Sequence, residues 1–435
     1  GLIYTGGLSK AVGGYDLRDF TMGERLLTEP RAIIFYLSLL FFPINSRLTL
    51  LYDIDISRSL FLPWTTLPAI LLILAACGVA IYFARKRPLL FFCILFYFLN
   101  HLIEGTIFNL ELIYEHRNYL PAMLLFVPAA ELIIYAVDYF SSKKFIQITA
   151  AATIVIILVA AGENTYQRNR IVADDLLLWV DNIDKSPRLS RPHSNLGRIY
   201  FINYMNDKAQ LEYDKALALN NFGNKQTLAI QEFNSGLLYF RERNDNLALK
   251  YFQRSLVFLP EYLPNTIHIA KIKMRQNNIQ EARWIIEDKL KKYPANIQLM
   301  ELYSFILFKQ KLFNEAQDYA KKCLAKNQDS TLALMIMAET CRLKNNYTGA
   351  VSYFRLLRTL APQDSFVNLA LIELYANNKN HKMLAREIRL LCNLQGSLNT
   401  AEYIKKLSKD SMLCVYVPDS ETIFAILKKN IANFI

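Results

Sequence analysis

The pattern of hydrophobic and polar positions changes once along the chain, near residue 162. Before that point apolar residues run together. Residues 67–84 are rich in Leu, Ile and Ala, 89–103 is shorter and strongly aromatic, 119–140 is long but carries Pro128 and Glu131, and 145–162 is uninterrupted. A run of about 18–20 apolar residues is long enough to cross a bilayer core as a helix, so these stretches read as membrane helices. A fifth run, 32–43, offers only about a dozen apolar residues before Pro43, and an interfacial or re-entrant helix fits it at least as well. Glu131 is costly inside a span and is expected to face other helices or a polar cavity. Beyond residue 162 the apolar residues recur singly at helical spacing, between polar ones.

The second regime repeats itself. Ala209, Ala248, Ala282, Ala316 and Ala350 are spaced 39, 34, 34 and 34 residues apart. Four residues after each stand Tyr213, Phe252, Ile286, Ala320 and Phe354, the knobs of the same face. Twelve residues after Ala248 and each later Ala come Pro260, Pro294, Gln328 and Pro362. Proline there ends a helix, because it lacks an N–H and clashes with the preceding turn. Leu196-Gly197 and Tyr200 supply the small and aromatic positions of a preceding helix. A 34-residue period with small residues at fixed phase is the signature of the tetratricopeptide repeat (TPR), a helix–turn–helix unit that stacks into a solenoid. Gly197, Ala209, Ala248, Ala282, Ala316 and Ala350 are its signature positions here. Five units read clearly, and a sixth, around 371–391, is degraded as a capping unit would be.

The expected fold is therefore all-α: multi-span membrane helices followed by a TPR α-solenoid. The expected division is an outer-face loop or interfacial segment at 1–31, a transmembrane domain at 32–162, a linker at 163–189, about six repeats at 190–394, and a C-terminal helical cap at 395–435. In the cap, 400–407 and 421–433 read as amphipathic helices, with Asp419-Ser420 capping the last. Gly1 is not an initiator Met, and the chain reads as the C-terminal portion of something longer.

Charge refines the picture. Lys and Arg exceed Asp and Glu by 50 to 38, a net +12. They alternate along the repeat helices, without a Gly-rich phosphate loop or an aromatic-plus-basic nucleic-acid motif, so no nucleic-acid partner is expected. A basic face near an anionic membrane is expected instead. Arg85-Lys86-Arg87 and Lys143-Lys144 mark two short loops as cytoplasmic. The 104–118 loop and the repeats then fall on the outer face of a bacterial inner membrane. Arg168 and Arg170 pull the other way and are partly offset by Glu163, Asp174 and Asp175. Six cysteines (77, 93, 323, 341, 392 and 414) show no metal-type spacing and read as free thiols, with Cys323 and Cys341 on neighbouring repeats.

Chemistry is sought in three polar clusters. The outer loop carries Glu115-His116-Arg117-Asn118-Tyr119-Leu120-Pro121. Arg117 could grip a lipid phosphate through parallel hydrogen bonds, or Arg117 and Tyr119 could simply anchor the loop at headgroup depth. A metal site from His101, Glu104, Glu111 and His116 fits no standard spacing, and none is assigned. A second cluster, from Tyr15 through Arg31, mixes charges with aromatic and Leu residues and suggests a surface helix. A third, Tyr52-Asp53-Ile54-Asp55, offers two carboxylates that suit acid–base work or plain solvation. Asn346-Tyr347-Thr348 matches the glycosylation pattern by chance.

The run Glu24-Arg25-Leu26-Leu27-Thr28-Glu29-Pro30-Arg31, then Glu115 to Pro121, then the junction Thr165-Tyr166-Gln167-Arg168-Asn169-Arg170, Leu178-Trp179 and Arg191-Pro192-His193-Ser194-Asn195-Leu196-Gly197, together resemble bacterial multi-span TPR proteins similar to the transmembrane-and-TPR protein O-mannosyltransferases. The resemblance covers nearly the whole chain. It implies a C-type glycosyltransferase membrane fold taking sugar from a polyprenyl-phosphate donor, with no other cofactor, and an arm that holds the acceptor protein. It also implies that Arg117 and His116 contact donor phosphate and that Glu115 orients Arg117. Two departures stand against the family pattern: Ala122 replaces the usual Ser, and the family's catalytic acids belong to an early loop that this chain does not contain. Two functions are accordingly weighed: the C-terminal part of a membrane glycosyltransferase, inactive as it stands, and a non-catalytic membrane-anchored TPR scaffold that binds a protein or peptide on its concave face.

Overall fold

The computed structural model describes residues 15, 18, 20–105, 108, 110–139, 144–219, 225–362, 365–395, 415 and 420–431. All regular structure among them is helical. The chain forms two compact units, Gly1–Pro260 and Glu261–Ile435. The division falls inside the repeats rather than at the 163–189 linker, because the first two repeat hairpins belong with the unit that holds the long apolar helices.

The first unit opens with α1 (Met22–Phe41), which begins inside the 1–31 segment read as a loop or interfacial segment, where the 15–31 cluster suggested a surface helix; Arg25, Thr28 and Glu29 are buried in it. Thr21 and Glu24 form a capping box, each side chain accepting from the other's backbone N–H. The buried face of α1 carries Arg25, Thr28 and Glu29 beside Ala32, Tyr36 and Leu39. A face that polar is matched by protein partners and not by lipid.

Then come α2 (Thr66–Phe83) and α3 (Pro88–Glu104), joined by the Arg85-Lys86-Arg87 turn. A 3-10 turn (Glu115–Asn118) leads into the single-turn helix α4 (Tyr119–Ala122) and then α5 (Phe126–Tyr139). The last long apolar helix is α6 (Lys144–Val172).

Among the described residues, α2 and α6 are each long and apolar enough to cross a membrane; the 115–122 and 126–139 pieces pass that test together but are bent by 55°, and α3 is shorter. In place of the expected multi-span half, the described residues hold two helices that are each long and apolar enough to span. Pro121 and Pro128 flank the break in the third, where a continuous ladder of backbone hydrogen bonds cannot form.

Residues 163–189 are not a loose linker. α6 runs on through the first ten, and α7 (Asp175–Lys185) follows, its first turn capped by Asp174 Oδ1, which accepts from Leu176 N (2.8 Å) and Leu177 N (3.1 Å). Two hairpins complete the unit: α8 (Ser190–Ile202) with α9 (Asn206–Leu219), and α10 (Lys225–Arg241) with α11 (Asp245–Phe258).

The second unit continues the hairpins: α12 (Leu263–Arg275) with α13 (Ile279–Lys292), α14 (Ile297–Lys309) with α15 (Phe313–Lys326), α16 (Thr331–Leu343) with α17 (Tyr347–Leu360), and α18 (Ser365–Asn377) with α19 (His381–Gln395). A final helix, α20 (Ser420–Ile431), matches the capping helix expected there, while the 400–407 helix lies outside the described residues.

The repeat signature has a direct packing cause. Ala209, Ala248, Ala282, Ala316 and Ala350 are all fully buried in the first turns of the second helices. A Cβ added to Gly197 would lie 2.6 Å from the Tyr213 ring, and one added to Gly236 would lie 2.5 Å from the Phe252 ring. Close crossing therefore excludes side chains at these positions. Ser304 holds the same place in its hairpin and turns its hydroxyl to donate to the Ala316 carbonyl at 2.7 Å. Each of α11, α13 and α17 ends two residues before its proline.

Every hairpin also turns identically. Tyr204, Arg243, Asn277, Lys311, Asn345 and Lys379 all have φ between 53° and 64°. The next residue's N–H bonds back to the carbonyl five residues before that left-handed residue's successor, as in Asn278 N to Lys273 O at 2.8 Å and Asn380 N to Tyr375 O at 2.8 Å. This closes the first helix with a Schellman bond. Asn244, Asn278, Asn346 and Asn380 then accept from the N–H three residues on, starting the second helix. Asn346 is thus a helix cap. The sixth hairpin, degraded in sequence, has the same turn.

Candidate functional site

Two sites follow from this architecture: a polar platform in the first unit and the first-helix faces of the hairpins. On the platform, the segments that carry the family resemblance come together. Arg25 is fully buried and pairs with Glu29 at 2.6 Å. It also donates to the Leu110 carbonyl and, at 3.4 Å, to that of Glu111. Arg117 donates to the same Glu111 carbonyl and lies over the Tyr114 ring, 5.1 Å from its centroid. Arg18 and Arg191 reach the Glu111 carboxylate at 2.5 and 3.5 Å.

Glu115, His116 and Arg117 point to different partners. The Glu115 carboxylate accepts from the Tyr52 hydroxyl at 2.6 Å and from Thr49 N at 3.1 Å. Burial, then the hydrogen bond to Glu115, holds the Tyr52 hydroxyl well above the ordinary tyrosine range. His116 is exposed and stacks on Tyr114 at 5.1 Å. His101 is buried instead, stacked on Tyr36 and 3.3 Å from Asn118 Oδ1. His101 and His116 therefore do not share a site, and no group of three metal-ligating side chains occurs among the described residues.

The two carboxylates Asp53 and Asp55 are held by one cation. Arg188 grips Asp53 with Nε at 2.6 Å and a terminal nitrogen at 3.0 Å, and that nitrogen reaches Asp55 at 3.1 Å. This is part of a latch that the sequence reading missed. Lys185 Nζ donates to the carbonyls of Asn45 (2.6 Å) and Leu48 (2.9 Å), and Ser186 Oγ donates to that of Leu51 (2.8 Å). Asn182, fully buried, donates to the Leu51 carbonyl at 3.0 Å and to Thr49. Asp181 ties α7 to α6 by pairing with Arg168 at 2.9 Å, and pairs with Lys185 one turn along its own helix at 2.6 Å. The capping Asp174 before an amphipathic run was the available signal for this helix.

The hairpins bury their own polar pairs. In α8, His193 Nδ1 lies 2.6 Å from the Glu212 carboxylate, which Lys215 also engages at 2.7 Å. In the second unit the Glu339 side chain is buried against Arg342 (2.9 Å), which also approaches Glu373 at 3.5 Å. Burial pushes the Glu339 carboxyl up to about 7, against the pull of Arg342. Burial likewise pushes His268 down to about 4. Cys323 and Cys341 are buried free thiols, burial raising that of Cys323 to about 11; the side chains of Cys392 and Cys414 lie outside the described set.

No family model matches the chain. It is similar to an uncharacterized protein, ycf37, from Cyanophora paradoxa, with 24% identity over 143 residues covering 33% of this chain and 83% of that protein. Among solved structures it is similar to PilW, a widely conserved type IV pilus biogenesis factor, at 17% identity and a TM-score of 0.43, covering 49% of this chain and 98% of that one. It is also similar to the APC/C hetero-tetramer Cut9-Hcn1, at 12% identity and a TM-score of 0.47, covering 74% of this chain and 64% of that one. None of these likenesses is close enough to carry fold or function. The TPR assignment rests on the chain's own period, crossings and turns. The comparisons add nothing to the O-mannosyltransferase resemblance.

Proposed function

We propose that the protein is a membrane-anchored docking scaffold: α2, α6 and the broken third span fix it in a bacterial inner membrane, and the TPR first-helix faces hold a segment of another protein on the outer side. The observation that carries this reading is the latch. A flexible linker would let the repeats sample any position near the bilayer, whereas α7 and the residues just after it bond their side chains to Asn45, Leu48, Thr49, Leu51, Asp53 and Asp55 of the loop that leads into α2. The first two hairpins are thereby fixed to the anchor within one compact unit. A surface with a defined place relative to the membrane suits presentation of a bound segment. The platform's arginines and Glu115 are already engaged by backbone and side-chain partners, which favours a supporting role for them over capture of a donor phosphate.

The test is co-purification from detergent-solubilised membranes of the intact tagged protein. Arg198, exposed on α8, lies on a first-helix face, and Trp284, 71% exposed on α13, lies on a second helix. The scaffold reading expects one protein to co-purify in fixed ratio and to be lost on Arg198→Glu while surviving Trp284→Ala. A retained protein with both changes, or none in fixed ratio, would overturn it.

A further inference from the structure

In a hairpin array the first helix of each unit is flanked by its own second helix, by the preceding second helix and by neighbouring first helices; one side remains open for a ligand. The first unit keeps that opening: α8 leaves Arg198 exposed, and α10 leaves Ile230, Asn234 and Leu237 only half-buried. In the second unit α14, α16 and α18 do not. Seven consecutive residues of α14, Leu302 to Phe308, are buried, as are six of α16, Ile336 to Cys341, and six of α18, Val367 to Ile372. Successive helical residues point about 100° apart, so runs this long cover the whole circumference.

Two described pieces of the C-terminal region pack against these helices. Val415 packs against the apolar cluster built from α12 to α16. Ile423, fully buried, and Leu427, 6% exposed, join the cluster of α16 to α19, with Ile426 packed against it. α20 touches α18. Its apolar residues Ile423, Ile426 and Leu427 fall at i, i+3 and i+4, the spacing of a helix that lays one face into a groove.

We propose that α20, led in by Val415, occupies the docking face of the second unit as an internal ligand. An outside partner for this face is then an amphipathic helix with apolar residues at the same spacing, and it binds by displacing α20. Its apparent affinity falls by the fraction of time the face is open. The proposal rests on the docking reading above but can fail separately from it.

The experiment uses the full chain in detergent and a fluorescent synthetic peptide spanning residues 414–431. The double variant Ile423→Asp, Leu427→Asp should bind the peptide at least about tenfold more tightly than the wild type, whose face is filled. Equal affinity in the two, or no binding by a variant with wild-type helicity, would overturn the proposal. Amide exchange of the unaltered protein provides a second arm, since the double variant changes two buried positions. An internal ligand opens locally, so α20 should exchange much faster than α14 and α16. Exchange of α20 in step with α18 and α19 would make it a fixed cap and overturn the proposal too. A partner bound to the second unit with α20 still protected would refute displacement and leave the docking reading intact. A chain without a partner on any first-helix face would refute docking and leave the peptide result standing.

Discussion

Gly236 sits where α10 crosses α11, and the Phe252 ring occupies the space a side chain would need. Gly236→Ala gains about 1 kcal/mol of helix propensity but forces an overpacked contact that costs about 1–3 kcal/mol. Because the ring is fully buried and has nowhere to move, the variant should unfold at lower urea; an unchanged or higher midpoint would show that the crossing can relax. Glu339 gives a second residue-scale test. Its carboxyl titrates near 7 when folded and about 4.3 when unfolded. The folded state therefore holds a proton that the unfolded state has lost, and this group's contribution to stability is full below about 4.3 and disappears as pH rises through about 7. Glu339→Gln should flatten the change in stability between about pH 5 and 7.5 relative to wild type. His268, depressed to about 4, acts with opposite sign in both proteins and cancels in the comparison. Parallel pH profiles would mean that Arg342 keeps Glu339 ionised despite its burial and the nearby Glu373. The small residues Gly197 and Ala209 were legible because they recur at a fixed period. Glu339 was not, because its burial comes from residues brought in from outside its own helix.

At the scale of elements, the hairpin turn was the hidden feature. Five of its six left-handed positions are spaced 34 residues apart from their neighbours, yet Tyr, Arg, Asn and Lys occupy them, so composition gave no glycine to follow. Side chains other than Gly and Asn cost about 1–2 kcal/mol in that conformation. Lys311→Gly should therefore raise the stability of the second unit by about 1 kcal/mol, and a loss in chemical denaturation would contradict the turn geometry. The latch was hidden for another reason: Asn182, Lys185 and Ser186 bond to backbone carbonyls more than 130 residues earlier in the chain, a pairing that no local pattern encodes. Asn182→Ala should cost about 1–3 kcal/mol by stripping a buried donor from the Leu51 carbonyl and Thr49. Amides in the 45–55 loop should exchange faster. Unaltered exchange there would mean that Ser186 and Lys185 suffice.

At the scale of the molecule, the division into an apolar half and a repeat half was legible from the change of hydrophobic pattern near residue 162. The number of spans was not, because residues 89–103 are too short and residues 119–140 break near paired prolines. The place of the boundary was missed as well, since α6 continues past its apolar stretch and α7 bonds to the 45–55 loop of the same unit. In the function we propose, the chain is an arm fixed at the membrane whose first-helix faces hold a protein segment. A photo-cross-linking residue placed at Arg198 in intact cells, with Trp284 as the control position, tests that description in place. The account predicts a single discrete protein adduct at Arg198 and none at Trp284. Adducts to lipid alone at Arg198, or the same adducts at both positions, would contradict it.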